Sequence, residues 1–93
     1  MTESEYIALA KEAFSAIEEM LDEREIDYSN NDAVMEIELD NGSKIIVNRH
    51  LPNREIWLAA KSGGFHYVWQ DGRWFSIRDG SELFGKLVAL LDN

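Results

Sequence analysis

Six acidic side chains lie between positions 18 and 27 of this 93-residue sequence. Residues four apart stack on one face of an α-helix, so Glu18/Asp22 and Glu19/Glu23 are expected to present their carboxylates side by side. Carboxylate oxygens are hard ligands that suit Mg, Ca, Mn or iron better than soft metals. We define the acidic ridge as Glu18, Glu19, Asp22, Glu23, Glu25 and Asp27, which Asp32, Glu36 and Glu38 extend along the following strands.

The acidic ridge breaks two rules of helix construction. Each like-charge pair at this spacing costs about 0.2 to 0.5 kcal/mol. Acids in the last turn also oppose the helix dipole, at about 0.3 to 1 kcal/mol. Local rules that are broken together in one place indicate a function. The alternative explanation of the acidic ridge is a solvated face kept for solubility. Carboxylates on a rigid helix cannot easily close a six-oxygen shell, so we expect weak, multiple and partly hydrated cation binding with poor selectivity.

Other chemistry is poorly supported by the sequence. There is no cysteine, which excludes thiolate catalysis and thiolate-held metals. His50 and His66 are the only imidazoles, and neither has the helical partner that a zinc protease needs, so we interpret both as surface or packing residues. No phosphate loop, nucleophile elbow or converging Glu/His set of the di-iron kind is present. The sequence therefore predicts a protein that is not an enzyme.

Trp57 is the second notable residue. It alternates with aliphatic neighbours in a predicted strand, so it should point away from the core, beside Asn48 on the adjacent strand. An outward Trp on an open sheet face is a typical anchor of protein interfaces. The alternative is a Trp partly covered by the side-chain stems of Arg54 or Arg73.

The elements that position these residues can be read from apolar periodicity. A helix capped by Thr2 or Ser4 runs to about Glu23. Five or six strands follow, separated by turns too short to hold a crossover helix, at 26–29, 33–39, 44–48, 55–60, 65–69 and 73–77. The segment from Asp79 to Glu82 resembles an N-cap and opens a second helix. Strands grouped between two helices predict an α+β fold, a two-layer sandwich with an antiparallel meander sheet and both helices on one face.

Length and charge limit the class of protein. Ninety-three residues suit one domain, 1–93. Residues 1–40 carry 13 acidic and two basic side chains, a balance of −11, whereas residues 41–93 carry a balance of +2. This asymmetry attracts cations or a basic protein and repels nucleic acid. No apolar run is long enough for a membrane span and no targeting segment is recognisable, so we expect neither membrane nor nucleic-acid partners and a cytoplasmic location.

The central segment resembles the frataxin family, bacterial CyaY type. The residues that carry the resemblance are, in order, Gly42-Ser43-Lys44, Asn48-Arg49, Pro52, Ile56-Trp57-Leu58-Ala59 and Gly63-Gly64-Phe65-His66-Tyr67. The similarity continues through Gly72, Trp74 and Asp79-Gly80 and covers essentially the whole chain. Two positions depart from some bacterial relatives, because Ile7 and Arg54 stand where those relatives carry histidines.

The resemblance implies an iron-binding protein of iron–sulfur cluster assembly. It would regulate the complex of cysteine desulfurase and scaffold protein, act as a candidate iron donor, and be a monomer without iron. Iron, ferrous or ferric, would bind weakly to Glu18, Glu19, Asp22, Glu23, Glu25 and Asp27, and other divalent cations could substitute. The partner-binding residues implied are Glu18, Glu19, Asp22, Glu23, Asn48 and Trp57. The alternative function is a metal-independent acidic docking module for a basic protein surface.

Overall fold

A computed structural model describes residues 1–92. Within them, one helix precedes and one helix follows a meander of six strands along the chain. The helices are α1 (Glu3–Glu23) and α2 (Leu83–Leu91), and the strands are β1 (Tyr28–Asn31), β2 (Val34–Glu38), β3 (Lys44–His50), β4 (Glu55–Ala60), β5 (Gly63–Gln70) and β6 (Arg73–Ser76), with a short 3-10 turn at Leu51–Asn53. No helix of this part of the chain is long and apolar enough to cross a membrane.

The first helix begins at a reciprocal cap. Thr2 Oγ1 accepts the N–H of Glu5 at 3.1 Å, and the Glu5 carboxylate accepts the N–H of Thr2 at 2.8 Å. Two otherwise unpaired donors are thereby satisfied, which fixes Thr2 rather than Ser4 as the cap. The buried stripe of α1 follows the predicted spacing and consists of Tyr6, Ala10, Ala13, Phe14, Ile17 and Leu21.

The six strands pair in sequence order, each antiparallel to the next. Side chains alternate between the two faces of each strand, and one face is buried with the apolar sides of both helices in a single core. Its sheet residues are Met35, Ile37, Ile45, Val47, Ile56, Leu58, Phe65, Tyr67 and Trp74. The predicted two-layer α+β sandwich is confirmed. The opposite sheet face has no helix over it in residues 1–92.

Several strand boundaries differ from the sequence-based expectation, most of all around the first hairpin. The first strand begins at Tyr28 rather than at residue 26, because the N–H of Ile26 is used to end α1. The hairpin turn lies at Asp32 and Ala33, since Asp32 adopts a positive φ of 56° that Asp tolerates better than most residues. Asn30 and Asn31, which fall between the two predicted strands, therefore belong to β1.

The cap of α2 is also different from the prediction. Glu82 is the N-cap, and its carboxylate accepts the N–H groups of Phe84 and Gly85, each at 3.0 Å. Asp79 instead closes the preceding turn by accepting both donors of Ser81 and by pairing with Lys86 at 3.1 Å. Asp79 and Glu82 are three residues apart as in an N-cap motif, but the two acids have different roles.

Candidate functional site

The acidic ridge occupies the C-terminal half of α1 and the connection to β1. Glu18 is half-buried, and the other five members are exposed. The buried stripe of α1 faces the sheet, so the ridge lies on the solvent side. No basic residue is present in the last turn of α1 to offset its carboxylates. Glu18, Glu19, Asp22 and Glu23 therefore lie on the solvent side of α1, as the helical spacing predicts, and Glu25 and Asp27 follow in the connection to β1.

Two neutral donors on β1 hold ridge carboxylates in place. Asn30 Nδ2 donates to Glu18 Oε2 at 3.0 Å, and the Tyr28 hydroxyl donates to Asp22 Oδ1 at 3.1 Å. Partial burial raises the pKa of Tyr28, and the hydrogen bond to Asp22 raises it further. These bonds join the helix to the first strand without neutralising any charge. Neither Tyr28 nor Asn30 was identified from the sequence, because their proximity depends on where β1 begins.

The charge of the acidic ridge is not balanced by neighbouring cations. Within residues 1–92, none of its six carboxylates forms an ion pair, because Arg24 pairs with Asp92 instead. The extension on β2 is different: Lys44 Nζ lies 2.6 Å from Glu36 and 3.9 Å from Glu38. The hydrogen bond to Glu36 raises the pKa of Lys44. Glu36 and Glu38 are thus partly neutralised, whereas the carboxylates on α1 have no cationic partner of this kind within residues 1–92.

No ready-made metal shell is present among the described residues. Across positions 1–92, no three His, Asp or Glu side chains converge so that they could hold one ion. Any cation at the acidic ridge would bind through one or two carboxylates and keep much of its water. This geometry suits weak binding with little selectivity between hard cations.

Asn48 and Trp57 lie side by side on the open face of the sheet. Asn48 on β3 is directly opposite Trp57 on β4, and His66 on β5 is directly opposite Trp57 on its other side. Both neighbours of Trp57 along β4 are buried in the core, so its own side chain faces outward. Trp57 is nevertheless only half exposed.

Two imidazoles cover Trp57. The indole is parallel to His50 at 3.9 Å between ring centroids, with an interplanar angle of 8°. On its other face it is parallel to His66 at 4.2 Å and 4°. We call these three residues the ring stack. The sequence prediction that both histidines are surface or packing residues missed this arrangement, which the register of β4 and β5 could have suggested for His66.

The edge of the indole is held by Glu55. Trp57 Nε1 donates to Glu55 Oε1 at 2.7 Å, and His66 Nδ1 lies 3.7 Å from the same oxygen. The Glu55 side chain is only 20% exposed, so this carboxylate is largely shielded from water. The hydrogen bond fixes the indole orientation, which in turn sets where both imidazoles can lie.

Comparison with known proteins relates the whole chain to one family. The model of the frataxin-like domain matches residues 1–93. The iron-sulfur cluster assembly protein CyaY of Neisseria meningitidis serogroup B is 46% identical, over 98% of this chain and 87% of the relative. The protein of the same name from Neisseria gonorrhoeae is 45% identical, over 98% of this chain and 87% of the relative.

Solved structures agree with this relationship. Frataxin from Psychromonas ingrahamii superposes with a TM-score of 0.91 at 36% identity and covers 97% of this chain and 88% of its own. Trimeric yeast frataxin complexed with ferrous iron superposes with a TM-score of 0.72 at 26% identity, over 99% of this chain and 84% of its own. With the sequence matches and the shared helix–meander–helix architecture, these likenesses show that the chain belongs to the frataxin/CyaY family.

Proposed function

We propose that this chain is a non-enzymatic, iron-binding protein of iron–sulfur cluster assembly in the bacterial cytoplasm. It regulates the complex of cysteine desulfurase and scaffold protein and can supply iron to it. The Neisseria relatives are named as iron-sulfur cluster assembly proteins, and a yeast relative has been solved with ferrous iron. In this proposal the protein is a monomer until iron binds.

The observation that carries the iron proposal is the uncompensated charge of the acidic ridge. Five of its six residues are exposed and one is half-buried, and none of the six carboxylates forms an ion pair within residues 1–92. Their oxygens are the ligand type that ferrous and ferric iron share with Mg and Ca. Binding would be weak and reversible because no closed shell is available, which suits an iron carrier or sensor rather than a storage centre. Other divalent cations would compete at the same residues.

Two surfaces are proposed for the partner proteins. Glu18, Glu19, Asp22 and Glu23 would face a basic patch on the desulfurase, where charge complementarity speeds encounter and fixes orientation. Asn48 and Trp57 would form the second contact on the open sheet face, with the indole as its anchor. If so, replacing Asn48 and Trp57 by alanine weakens the partner complex and leaves iron binding unchanged.

A second candidate function is a docking module that needs no metal. The absence of converging ligands in residues 1–92 favours it, since the acidic ridge could serve a basic protein surface alone. The two functions use the same charges but differ in their response to iron. Under the docking function, millimolar Mg²⁺ or Ca²⁺ only screens the partner, and iron has no local effect.

An amide NMR titration separates the two functions. Labelled protein is titrated with ferrous iron without oxygen, and then with a cysteine desulfurase. Two variants with the same change in net charge are compared: E19Q/E23Q/D27N on the acidic ridge, and E3Q/D40N/D71N away from it. We expect iron to broaden resonances of residues 18–27 in the wild type and the control, and to bind the ridge variant more weakly.

The outcomes are distinct. Iron broadening confined to the ridge, together with desulfurase shifts in the same residues, supports one surface with both roles. If iron leaves the ridge resonances unchanged while desulfurase still shifts them, the metal role is wrong and the docking function stands. Equal loss of iron binding in both variants would show that only net charge matters, and would contradict a localised site.

A further inference from the structure

In the ring stack, one imidazole covers each face of the Trp57 indole, and the surroundings of the two imidazoles differ. His66 is exposed over 56% of its side chain and lies beside the Glu55 carboxylate. His50 is half-buried, and its Nδ1 has no contact with solvent and no hydrogen-bond partner in residues 1–92. A protonated His66 would therefore have different neighbours from a protonated His50. Histidine is the side chain whose charge changes between about pH 5 and 8.

A proton on His66 meets favourable partners. The Nδ1 to Glu55 Oε1 distance of 3.7 Å is within ion-pair range and needs only a small shift to become a hydrogen bond. The flat face of the indole attracts a cation on either side, so this attraction does not distinguish the two imidazoles. Arg78 borders the same groove from the segment after β6, but its Nη1 is engaged with the carbonyl of Gly64 at 2.6 Å. Protonated His66 therefore stays on Trp57.

A proton on His50 meets unfavourable partners. A charged imidazole carries N–H on both nitrogens, and Nδ1 would then be a buried donor without an acceptor. The neighbouring charges are Arg49 and Arg54 along the chain and Glu55 opposite in the β3–β4 register, whose Oε1 already accepts from Trp57. Tyr6 of α1 contributes only a hydroxyl, which donates to the Glu55 carbonyl.

The two imidazoles also oppose each other's charge. Both are almost parallel to the indole, so the stacking distances place their centroids about 8 Å apart across it. Two positive rings on one indole repel, and the ring without a counterion is the one displaced. The displaced ring must be His50, since Glu55 holds His66.

We propose that the ring stack is a proton-operated cover: acid releases His50 and exposes one face of Trp57, while His66 remains stacked on the other face. This cover regulates the partner surface proposed above. Its biological role rests on that proposal, whereas the release of His50 does not. A planar or apolar group of a partner could then occupy the face that His50 leaves. The partner surface would accordingly be more open at pH 5.5 than at pH 8.

The test uses NOE spectra of the isolated full chain, without iron or partner, at pH 8.0 and pH 5.5. The Trp57 indole resonances are assigned by comparison with W57F, and those of Trp69 and Trp74 are internal controls. We expect the cross-peaks between His50 and Trp57 to disappear at pH 5.5, while those between His66 and Trp57 persist. In H50F, whose ring cannot take up a proton, the cover should stay in place at both pH values.

Two further variants keep the result unambiguous. H66F should still release His50 in acid, and E55Q should allow His66 to leave as well, because its counterion is gone. Persistence of the His50 cross-peaks at pH 5.5, or loss of both sets together in the wild type, overturns the proposal. Failure here would leave the iron and partner proposals intact, since neither iron nor a partner is present in the measurement.

Discussion

Arg24 Nη1 donates to Asp92 Oδ1 at 2.5 Å, which joins the residues that end the two helices. Arg24 lies in the middle of the acidic ridge in sequence, between Glu23 and Glu25, and it is the cation best placed to neutralise them. Its guanidinium instead pairs with the end of α2. The ion pair thus has a second effect besides linking the helices, because it keeps the ridge negative.

The first prediction concerns this ion pair and cation binding. D92N should free Arg24 to screen the acidic ridge and weaken Fe²⁺ or Ca²⁺ binding about twofold, the effect of ~0.5 kcal/mol expected for charges ~8 Å apart in water. R24Q should strengthen binding by a similar factor. Isothermal titration calorimetry at low salt measures both.

Stability provides the control for this pair. Both side chains are partly exposed, at 35% and 57%, so each single variant should lose at most about 1 kcal/mol of unfolding free energy. The two variants should therefore have similar melting temperatures and opposite shifts in cation affinity. If R24Q and D92N change affinity in the same direction, Arg24 does not act on the ridge by charge.

The end of α1 leads to the second prediction. The N–H of Glu25 donates to the Asp22 carbonyl at 3.1 Å, and that of Ile26 donates to the Leu21 carbonyl at 3.0 Å. This is a Schellman cap, in which the residue after the helix is normally Gly because its φ is positive. Here Glu25 adopts a φ of 56°. A side chain in that conformation costs about 1 to 2 kcal/mol.

E25G should therefore stabilise the protein by about 0.5 to 1 kcal/mol, after allowing for the greater freedom of Gly in the unfolded chain. For a domain of this size the melting temperature should rise by roughly 2 to 8 °C. The same variant should weaken cation binding, because it removes a ridge carboxylate. E23Q, whose residue is within the helix, separates the charge effect from the backbone effect. A lower melting temperature for E25G would contradict the argument.

The helical part of the acidic ridge was predictable from sequence because it depends on one helix only. Spacings of three and four fix both the buried stripe and the opposite acidic face of α1, and no tertiary information is needed. The strained position of Glu25 was not predictable in the same way. It requires knowing that α1 ends at Glu23 and that Ile26 returns to the core, and helix ends are the least certain feature of a sequence pattern.

The ring stack was only half predictable, because it depends on register. Alternation placed Trp57 on the open face, but its contacts are set by residues on β3 and β5. A tight turn at Lys61 and Ser62 brings His66 opposite Trp57, and β5 begins at Gly63 rather than at residue 65 as predicted. His50 enters by a diagonal contact from the next row, which pairing rules alone do not fix.

The third prediction concerns acid stability and Asp79. Its carboxylate accepts the Ser81 N–H at 3.0 Å and the Ser81 hydroxyl at 2.7 Å, and Lys86 adds an ion pair. These bonds, chiefly those from Ser81, hold the pKa of Asp79 well below its ordinary value. A depressed folded-state pKa contributes stability above the unfolded-state value, and that stability is lost as pH falls toward the folded-state value.

D79N should consequently unfold at a lower urea concentration than the wild type at pH 7. The difference should shrink as pH falls below about 4, where the wild-type unfolded state begins to bind the proton. D71N, which alters an exposed acid in another turn, is the matched control and should show little difference at any pH. A gap between D79N and wild type that is constant from pH 3 to pH 7 would contradict a role for this carboxylate's charge.

The fourth prediction uses Tyr28 as a reporter of cation binding. Its raised pKa depends in part on the hydrogen bond to Asp22 and on the negative charges of Asp22 and Glu18. A cation on those carboxylates would compete for the accepting oxygen and oppose their charge. Ca²⁺ should therefore lower the pKa of Tyr28 toward its ordinary value, and phenolate absorbance should develop at a lower pH.

An ultraviolet titration with and without millimolar Ca²⁺ measures this shift, and Y28F identifies which phenol responds. Tyr6 and Tyr67 also have raised pKa values, but burial is their main cause and Asp22 and Glu18 do not contribute, so Ca²⁺ should not move them. The E19Q/E23Q/D27N variant should weaken the response, whereas E3Q/D40N/D71N should keep it. A Ca²⁺ effect that survives in Y28F would mean that the cation acts on the whole protein. An effect confined to Tyr28 requires the cation to lie near Asp22 and Glu18, where α1 meets β1.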